Sequence, residues 1–365
     1  MARYRVAVIG STGRGDYGHG LDAIWKTFDD CEVVGAADPI ESGRQKAQER
    51  TGAATIWADY REMLDKLRPQ VVAICPRWVD QHRDMVVACA EYGCHMYLEK
   101  PLCRTLGEAD EMLRACEMRH LKTAVAHISR WSPQLDVVRR LIQDGRIGEV
   151  LEIRARGKED SRGGGEDLWV LGTHVLDLMR AIAGEPESCF ASLTQAGRPV
   201  VRGDVREGNE GLGPLAGDRV EASYRFTGGV SGYFSSRKGA GGSPSRFGLR
   251  IHGTKGVMEL TSGYGNPAFL LEDASWSGRG PSIWKTITSA GVDKPETLTA
   301  TGYEGGNPAA ARDLLACIDT DRQPKCSLRE ARGAVEMVLA AFESHVRGGP
   351  VTLPLESRDN PLSRL

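Results

Sequence analysis

The chain has 365 residues, 41% hydrophobic and 26% charged, with a net charge of −2. That balance suits a globular protein of about two domains and leaves no electrostatic footprint for nucleic acid or an anionic membrane. No run of 18 apolar residues offers a membrane span, the first strand starts too early to leave room for a signal peptide, and nine scattered cysteines without a C-x-x-C spacing read as reduced thiols of a cytoplasmic protein.

Residues 5–9 read as a short apolar strand, and a glycine-rich loop follows at once: Gly10-Ser11-Thr12-Gly13-Arg14-Gly15-Asp16-Tyr17-Gly18-His19-Gly20. Gly13-x-Gly15-x-x-Gly18 fits the dinucleotide fingerprint, and Gly10 takes the tight-turn position after the strand. Such glycines let a backbone approach a pyrophosphate, which then faces the N-terminus of a following helix. A second strand, 32–37, ends at Asp38, where an acid grips a ribose hydroxyl. No Arg or Lys follows Asp38 until Arg44, which favours NAD over NADP.

Helices are expected over 44–50, 61–67, 81–92 and 106–119. Strands are expected over 71–74, 95–98 and 123–126. This alternation is that of a doubly wound parallel sheet. His82, Cys89, Cys94 and His95 lack metal-site spacing, so no metal is expected. The texture changes near residues 127–130. Pro133 opens an amphipathic helix that Gly145 ends, and period-2 strands follow over 150–156, 188–194, 220–226, 230–236, 247–252 and 256–260. Helices return over 309–319 and 328–346. The expected fold is thus α/β: a Rossmann doubly wound parallel domain over residues 1–127, then an α+β domain over 128–365 with a large, mostly antiparallel open sheet. Gly197–Gly217 and Gly239–Ser245 are glycine-rich loops, either surface excursions or lids.

Two groups carry chemistry. Glu99-Lys100-Pro101 closes the apolar run 95–98. Ligands of open α/β sheets bind beyond the carboxyl ends of the strands, so Lys100 is placed for catalysis. In the second domain, Gly172-Thr173-His174-Val175-Leu176-Asp177 starts a helix. His174 titrates near neutrality and suits proton exchange opposite a nicotinamide. Asp177, one turn on, either orients His174 or favours the helix dipole.

With these residues in order, the chain resembles the glucose–fructose oxidoreductase/inositol dehydrogenase/rhizopine catabolism (Gfo/Idh/MocA) family. The glycine loop, Asp38, Pro76, His82 and Glu99-Lys100-Pro101 match its first domain. Arg130-Trp131-Ser132-Pro133, Gly172-x-His174-x-x-Asp177 and the ending Val351-Thr352-Leu353-Pro354-Leu355 match the remainder. The resemblance implies hydride transfer between a secondary alcohol of a sugar or polyol and NAD, with Lys100 polarising the oxygen and His174 exchanging the proton. It places the cofactor on Gly10, Ser11, Thr12, Gly13, Arg14, Gly15, Asp38, Pro76, His82, Glu99 and Lys100. Arg156, Lys158, Arg162, Trp169, Thr173, His174 and Asp177 are candidates for the substrate pocket. Many members carry an aspartate four residues before the histidine, where this chain has Val170. Asp160, Glu166 and Asp167 are candidates for the missing carboxylate.

Two rival functions differ in class. One is glycoside cleavage assisted by a retained NAD, and the other is a non-enzymatic sugar or NAD sensor. Val220, Ala222, Tyr224 and Phe226 alternate with polar residues, and an apolar sheet face needs a cover. The expected partner is a second copy of the chain, in a homodimer or homotetramer packed through that sheet.

Overall fold

The computed structural model describes residues 3–279 and 281–365. They divide into two compact units. The first is not the contiguous stretch expected from the sequence. It combines Met1–His127 with Asn209–Leu212 and Asn307–Arg332, and the second takes the rest.

Among the described residues, the first unit holds a six-stranded sheet: β1 Tyr4–Ile9, β2 Cys31–Ala37, β3 Ile56–Trp57, β4 Val71–Ile74, β5 His95–Leu98 and β6 Thr123–Val125. Its order is β3-β2-β1-β4-β5-β6, parallel throughout. Strand order reverses between β1 and β4, which defines the switch point where such sheets bind ligands. Val71–Ile74 is fully buried, as expected of a parallel strand covered on both faces. The helices are α1 Glu41–Thr51, α2 Tyr60–Leu67, α3 His82–Glu91 and α4 Leu106–Glu117. The Asp59 carboxylate caps α2 and the Thr105 hydroxyl caps α4. Beyond β6, the Val125 N–H donates to the Cys326 carbonyl at 2.9 Å, so the later segment lines the sheet's edge.

The helix expected after the glycine loop is absent among the described residues. Residues 12–24 form turns, and only a 3-10 turn, Trp25–Thr27, follows. The backbone explains this. Gly13, Gly15, Asp16, Gly18 and Gly20 all take positive φ, and left-handed residues at this density cannot propagate a right-handed helix.

The second unit is built on a mixed sheet. From one edge its strands are Gly291–Val292, Lys285–Thr288, Ala268–Leu271, Val257–Thr261, Gly248–Gly253, Val150–Arg156 (β7), Ser231–Arg237, Arg219–Phe226, Pro186–Gln195 and Val351–Thr352. β7 and Ser231–Arg237 run parallel, while their neighbours are antiparallel. Helices α5 Pro133–Gln143, α6 Gly165–Val170 and α7 Gly172–Ala183 lie in this unit, and α8 Gly302–Thr320 and α9 Leu328–Arg347 contribute residues to both. Val220, Ala222, Tyr224 and Phe226 point inward, and the Tyr224 hydroxyl donates to the Met337 carbonyl of α9 at 2.9 Å. The chain's own helix therefore covers the face expected to need a partner. The opposite face carries one cross-strand row of Phe190, Ser223, Tyr233, Arg154, Arg250, Glu259 and Phe269. Phe190 and Tyr233 are 53% and 41% exposed there.

Candidate functional site

In the first unit the site is built on the carboxyl ends of β1, β2, β4 and β5. Gly10 leaves β1 under the Tyr17 ring, where a Cβ would lie 2.2 Å from the nearest ring carbon, so only glycine fits. The loop closes on itself. The N–H groups of Ser11, Arg14 and Asp16 donate to carbonyls within it, and that of Gly13 donates to the Asp16 carboxylate. Asp38 ends β2 fully buried. Its Oδ2 accepts from the Thr12 N–H at 3.0 Å and the Thr12 hydroxyl at 2.8 Å, and its Oδ1 accepts from the Ile40 N–H at 2.9 Å. Arg44 folds back so that its guanidinium donates to the Asp38 and Pro39 carbonyls, both at 3.2 Å. This corrects the expectation that no cation stands beside Asp38.

A dinucleotide fits this place on two observations. The glycine loop abuts the segment leaving β4 at the switch point, with a Cβ on Gly15 lying 2.3 Å from the Arg77 N. That segment holds three buried polar atoms with no partner among the described residues: Arg77 Nε, Asp80 Oδ1 and Gln81 Oε1. Buried polar atoms of this kind await a ligand or water.

Glu99 and His82 act differently from expectation. The Glu99 carboxylate is 0% exposed. It accepts from the His19 N–H at 3.1 Å and the Lys100 N–H at 2.6 Å, and it also bonds the His19 imidazole. Burial pushes its pKa up, but the hydrogen bond and charge of His19, then Lys100, outweigh that and hold it below the usual carboxylate value. Glu99 is thus the anchor of the glycine loop. His19, quoted in the loop but given no role from sequence, is its counterpart. The Asn307 amide donates to the His19 carbonyl at 2.9 Å and accepts from the Tyr97 hydroxyl at 2.8 Å. His82 is also fully buried, its ring nitrogens against the carbonyls of Pro76 at 2.7 Å and Leu102 at 3.1 Å. It staples the end of β4 to the chain after Lys100 and has no surface for a cofactor. Lys100 stands two residues beyond β5 and is 4% exposed.

In the second unit, His174 is the third residue of α7, with its ring edge-on to Phe247 at 6.2 Å. It lines a cavity of about 230 Å³ together with Lys158, Phe247, Ser262, Asn266 and Tyr303. Sequence gave no signal for the last four, which come from the loops at Phe247 and at Ser262 to Asn266 and from the start of α8 at Tyr303. Other candidates are corrected. Trp169 is 0% exposed and stacks on Phe342 at 5.9 Å, so it is core. Asp177 is equally buried and receives Arg130 through two bonds of 2.7 and 2.9 Å. Thr173 is buried, its hydroxyl without a partner among the described residues. Arg156 lines a different cavity, of about 350 Å³, with Arg154, Arg246 and Arg250, and is bound to Glu159.

The three carboxylates considered for the missing position are all committed elsewhere. Asp160 takes both arms of Arg162, Glu166 pairs with Arg206 at 2.9 Å, and Asp167 accepts from the Ser236 hydroxyl and the Lys158 and Glu159 N–H groups. Burial raises the Asp167 pKa despite those donors. Val170 itself is buried.

A parallel sheet of order 3-2-1-4-5-6 with a glycine loop at its switch point is the architecture of a dinucleotide-binding domain, here joined to a unit carrying a mixed open sheet. Comparison with known proteins agrees. The family pattern described as "Oxidoreductase family, NAD-binding Rossmann fold" matches residues 4–127, and the GFO/IDH/MocA C-terminal domain matches residues 136–259. The chain belongs to the Gfo/Idh/MocA family, and its first unit is an NAD-binding Rossmann domain. It is 29% identical to the levoglucosan dehydrogenase of Pseudarthrobacter phenanthrenivorans over 252 residues, which span 62% of this chain and 64% of that protein. It is 23% identical to the D-apiose dehydrogenase of Paraburkholderia graminis over 97% of this chain and 90% of that one. The structure of a levoglucosan dehydrogenase in complex with NADH and L-sorbose superposes with a TM-score of 0.79 at 22% identity, covering 97% of this chain and 100% of the other, which speaks to the fold. Among the described residues no helix is long and apolar enough to cross a membrane.

Proposed function

We propose that the protein is an NAD-dependent dehydrogenase that oxidises a secondary alcohol of a sugar, polyol or related carbohydrate to a ketone. The observation that carries this reading is the buried Lys100 just beyond the carboxyl end of β5, in a family of oxidoreductases. NAD, when bound, would supply the hydride acceptor for the carbinol carbon. Lys100 donates a hydrogen bond to the alcohol oxygen and stabilises its charge as the O–H proton leaves. His174 takes that proton. The cytoplasm as its location rests on nine cysteines without a disulfide. A homodimer or homotetramer rests on the exposed row that holds Phe190 and Tyr233.

The test is NADH formation at 340 nm across sugars and polyols, with Lys100→Met beside the wild type. Turnover should fall at least 100-fold in the variant, on the order expected for a proton-handling group, while NAD affinity changes less than threefold. Retention of more than a tenth of wild-type turnover would refute the role of Lys100. Ketone or cleavage product appearing without released NADH would point instead to a retained cofactor.

A further inference from the structure

Among the described residues, the cavity beside His174 is lined by a cation and by no carboxylate. The acids nearby are neutralised by the protein itself. Glu159 is held by Arg156 and Arg246, and Asp177 by Arg130. Asp160 is held by Arg162, which keeps its carboxyl down at about 2. Lys158 shares Asp160 with Arg162, at longer range. Its side chain is 50% exposed, its ammonium makes no hydrogen bond among the described residues, and the nearest carboxylate oxygen, on Asp160, lies 3.8 Å away. Lys158 also lines an open groove of about 510 Å³ with Glu159, Asp160, Ser161 and glycines and serines of the 239–245 loop, and it is the residue that groove shares with the His174 cavity.

A cavity for a neutral polyol gains from a carboxylate, because charged acceptors make the stronger hydrogen bonds to hydroxyls. Beside His174 and Lys158, this one offers the amide of Asn266 and the hydroxyls of Ser129, Ser262 and Tyr303. An ammonium whose one ion-pair partner, Asp160 at 3.8 Å, is already bound by Arg162 can receive a second anion as a point charge. We infer that the substrate is an anionic carbohydrate, a sugar or polyol bearing a carboxylate or phosphate, whose anionic group pairs with Lys158 while its secondary alcohol lies beside His174. This rests on the dehydrogenase reading above and narrows its substrate class.

The experiment compares matched pairs under one NAD concentration: D-glucose with D-glucuronate and with D-glucose 6-phosphate, and D-sorbitol with D-gluconate. At least one anionic member should exceed its neutral partner tenfold or more in kcat/KM, mainly through KM, and the winning arm tells carboxylate from phosphate. The ratio should shrink with rising salt, fall to near one in Lys158→Met, and largely survive in Lys158→Arg. Neutral members turned over as well as the anionic ones would overturn the inference and leave the dehydrogenase reading standing. So would an anionic preference that persists in Lys158→Met. If no member yields NADH, the dehydrogenase reading fails, and calorimetric titration of glucuronate and glucose 6-phosphate into the NAD-loaded protein decides the remainder. Binding that Lys158→Met weakens tenfold supports the anion site, and no binding, or binding indifferent to Lys158, overturns it.

Discussion

Replacing Glu99 by Gln separates an anchoring carboxylate from a cofactor ligand. The buried carboxylate accepts from the His19 N–H, the His19 ring and the Lys100 N–H. Glutamine keeps the shape but offers one acceptor oxygen, and its amide group turns a donor toward another donor. The loss is at least one charge-assisted bond, and a buried N–H is left unmatched, together about 2–4 kcal/mol. For a unit of this size that lowers the melting temperature by about 5–15 °C. Differential scanning calorimetry without added nucleotide measures it. The pH dependence has a definite sign. The Glu99 pKa is depressed in the folded protein below its ordinary 4.5, so its contribution is fully present above that value and is lost as pH falls through the lower folded value. The gap between wild type and Glu99→Gln should therefore be constant near neutrality and close as acid is added below pH 4.5. An unchanged melting temperature with weakened NAD binding would show that Glu99 serves the cofactor and not the loop.

The remaining predictions concern the cofactor, the core and assembly. NAD should bind at least tenfold more tightly than NADP, about 1.4 kcal/mol, because a 2'-phosphate would meet the Asp38 carboxylate; Arg44 works against that margin, so Arg44→Ala should widen it. Equal dissociation constants by intrinsic fluorescence would mean Asp38 does not discriminate. Trp169→Ala should cost about 3–5 kcal/mol in urea unfolding, since its ring is core, whereas a value below 1 kcal/mol would return it to the pocket lining. Tyr233→Glu should reduce the mass seen by light scattering if copies pair through the exposed row, and a wild-type monomer at micromolar concentration would remove that pairing outright.

Much of the fold is legible in local pattern. Pro133 at the first position of α5, with Leu135, Val138 and Leu141 inside, announces an amphipathic helix, and the structure has it. The strand pattern over 150–156 reappears as β7 to the residue. The glycine loop misled because a fingerprint shows where backbone freedom is needed, while the φ values it adopts decide whether a helix follows. The short strands Ala268–Leu271 and Lys285–Thr288 are not among the strands expected from the sequence. Lys100 was visible because its motif is contiguous. The role of His82 was not, because it depends on carbonyls six residues before it and twenty after it, at Pro76 and Leu102. For the same reason the quenching of Asp177 by Arg130, 47 positions away, leaves no trace in either local sequence.

The bond from Val125 to the Cys326 carbonyl has a consequence for synthesis on the ribosome. After His127, the first unit gains only residues 209–212 before position 307, some 180 residues later. At ordinary elongation rates that interval lasts about 10–40 s. Throughout it the outer edge of β6 has no covering chain, and an uncovered strand edge is a template for pairing with a neighbouring chain. The nascent protein is thus most exposed to aggregation while its second unit is being made, and chaperones that bind bare strand edges should engage it during that window and release it once Cys326 emerges.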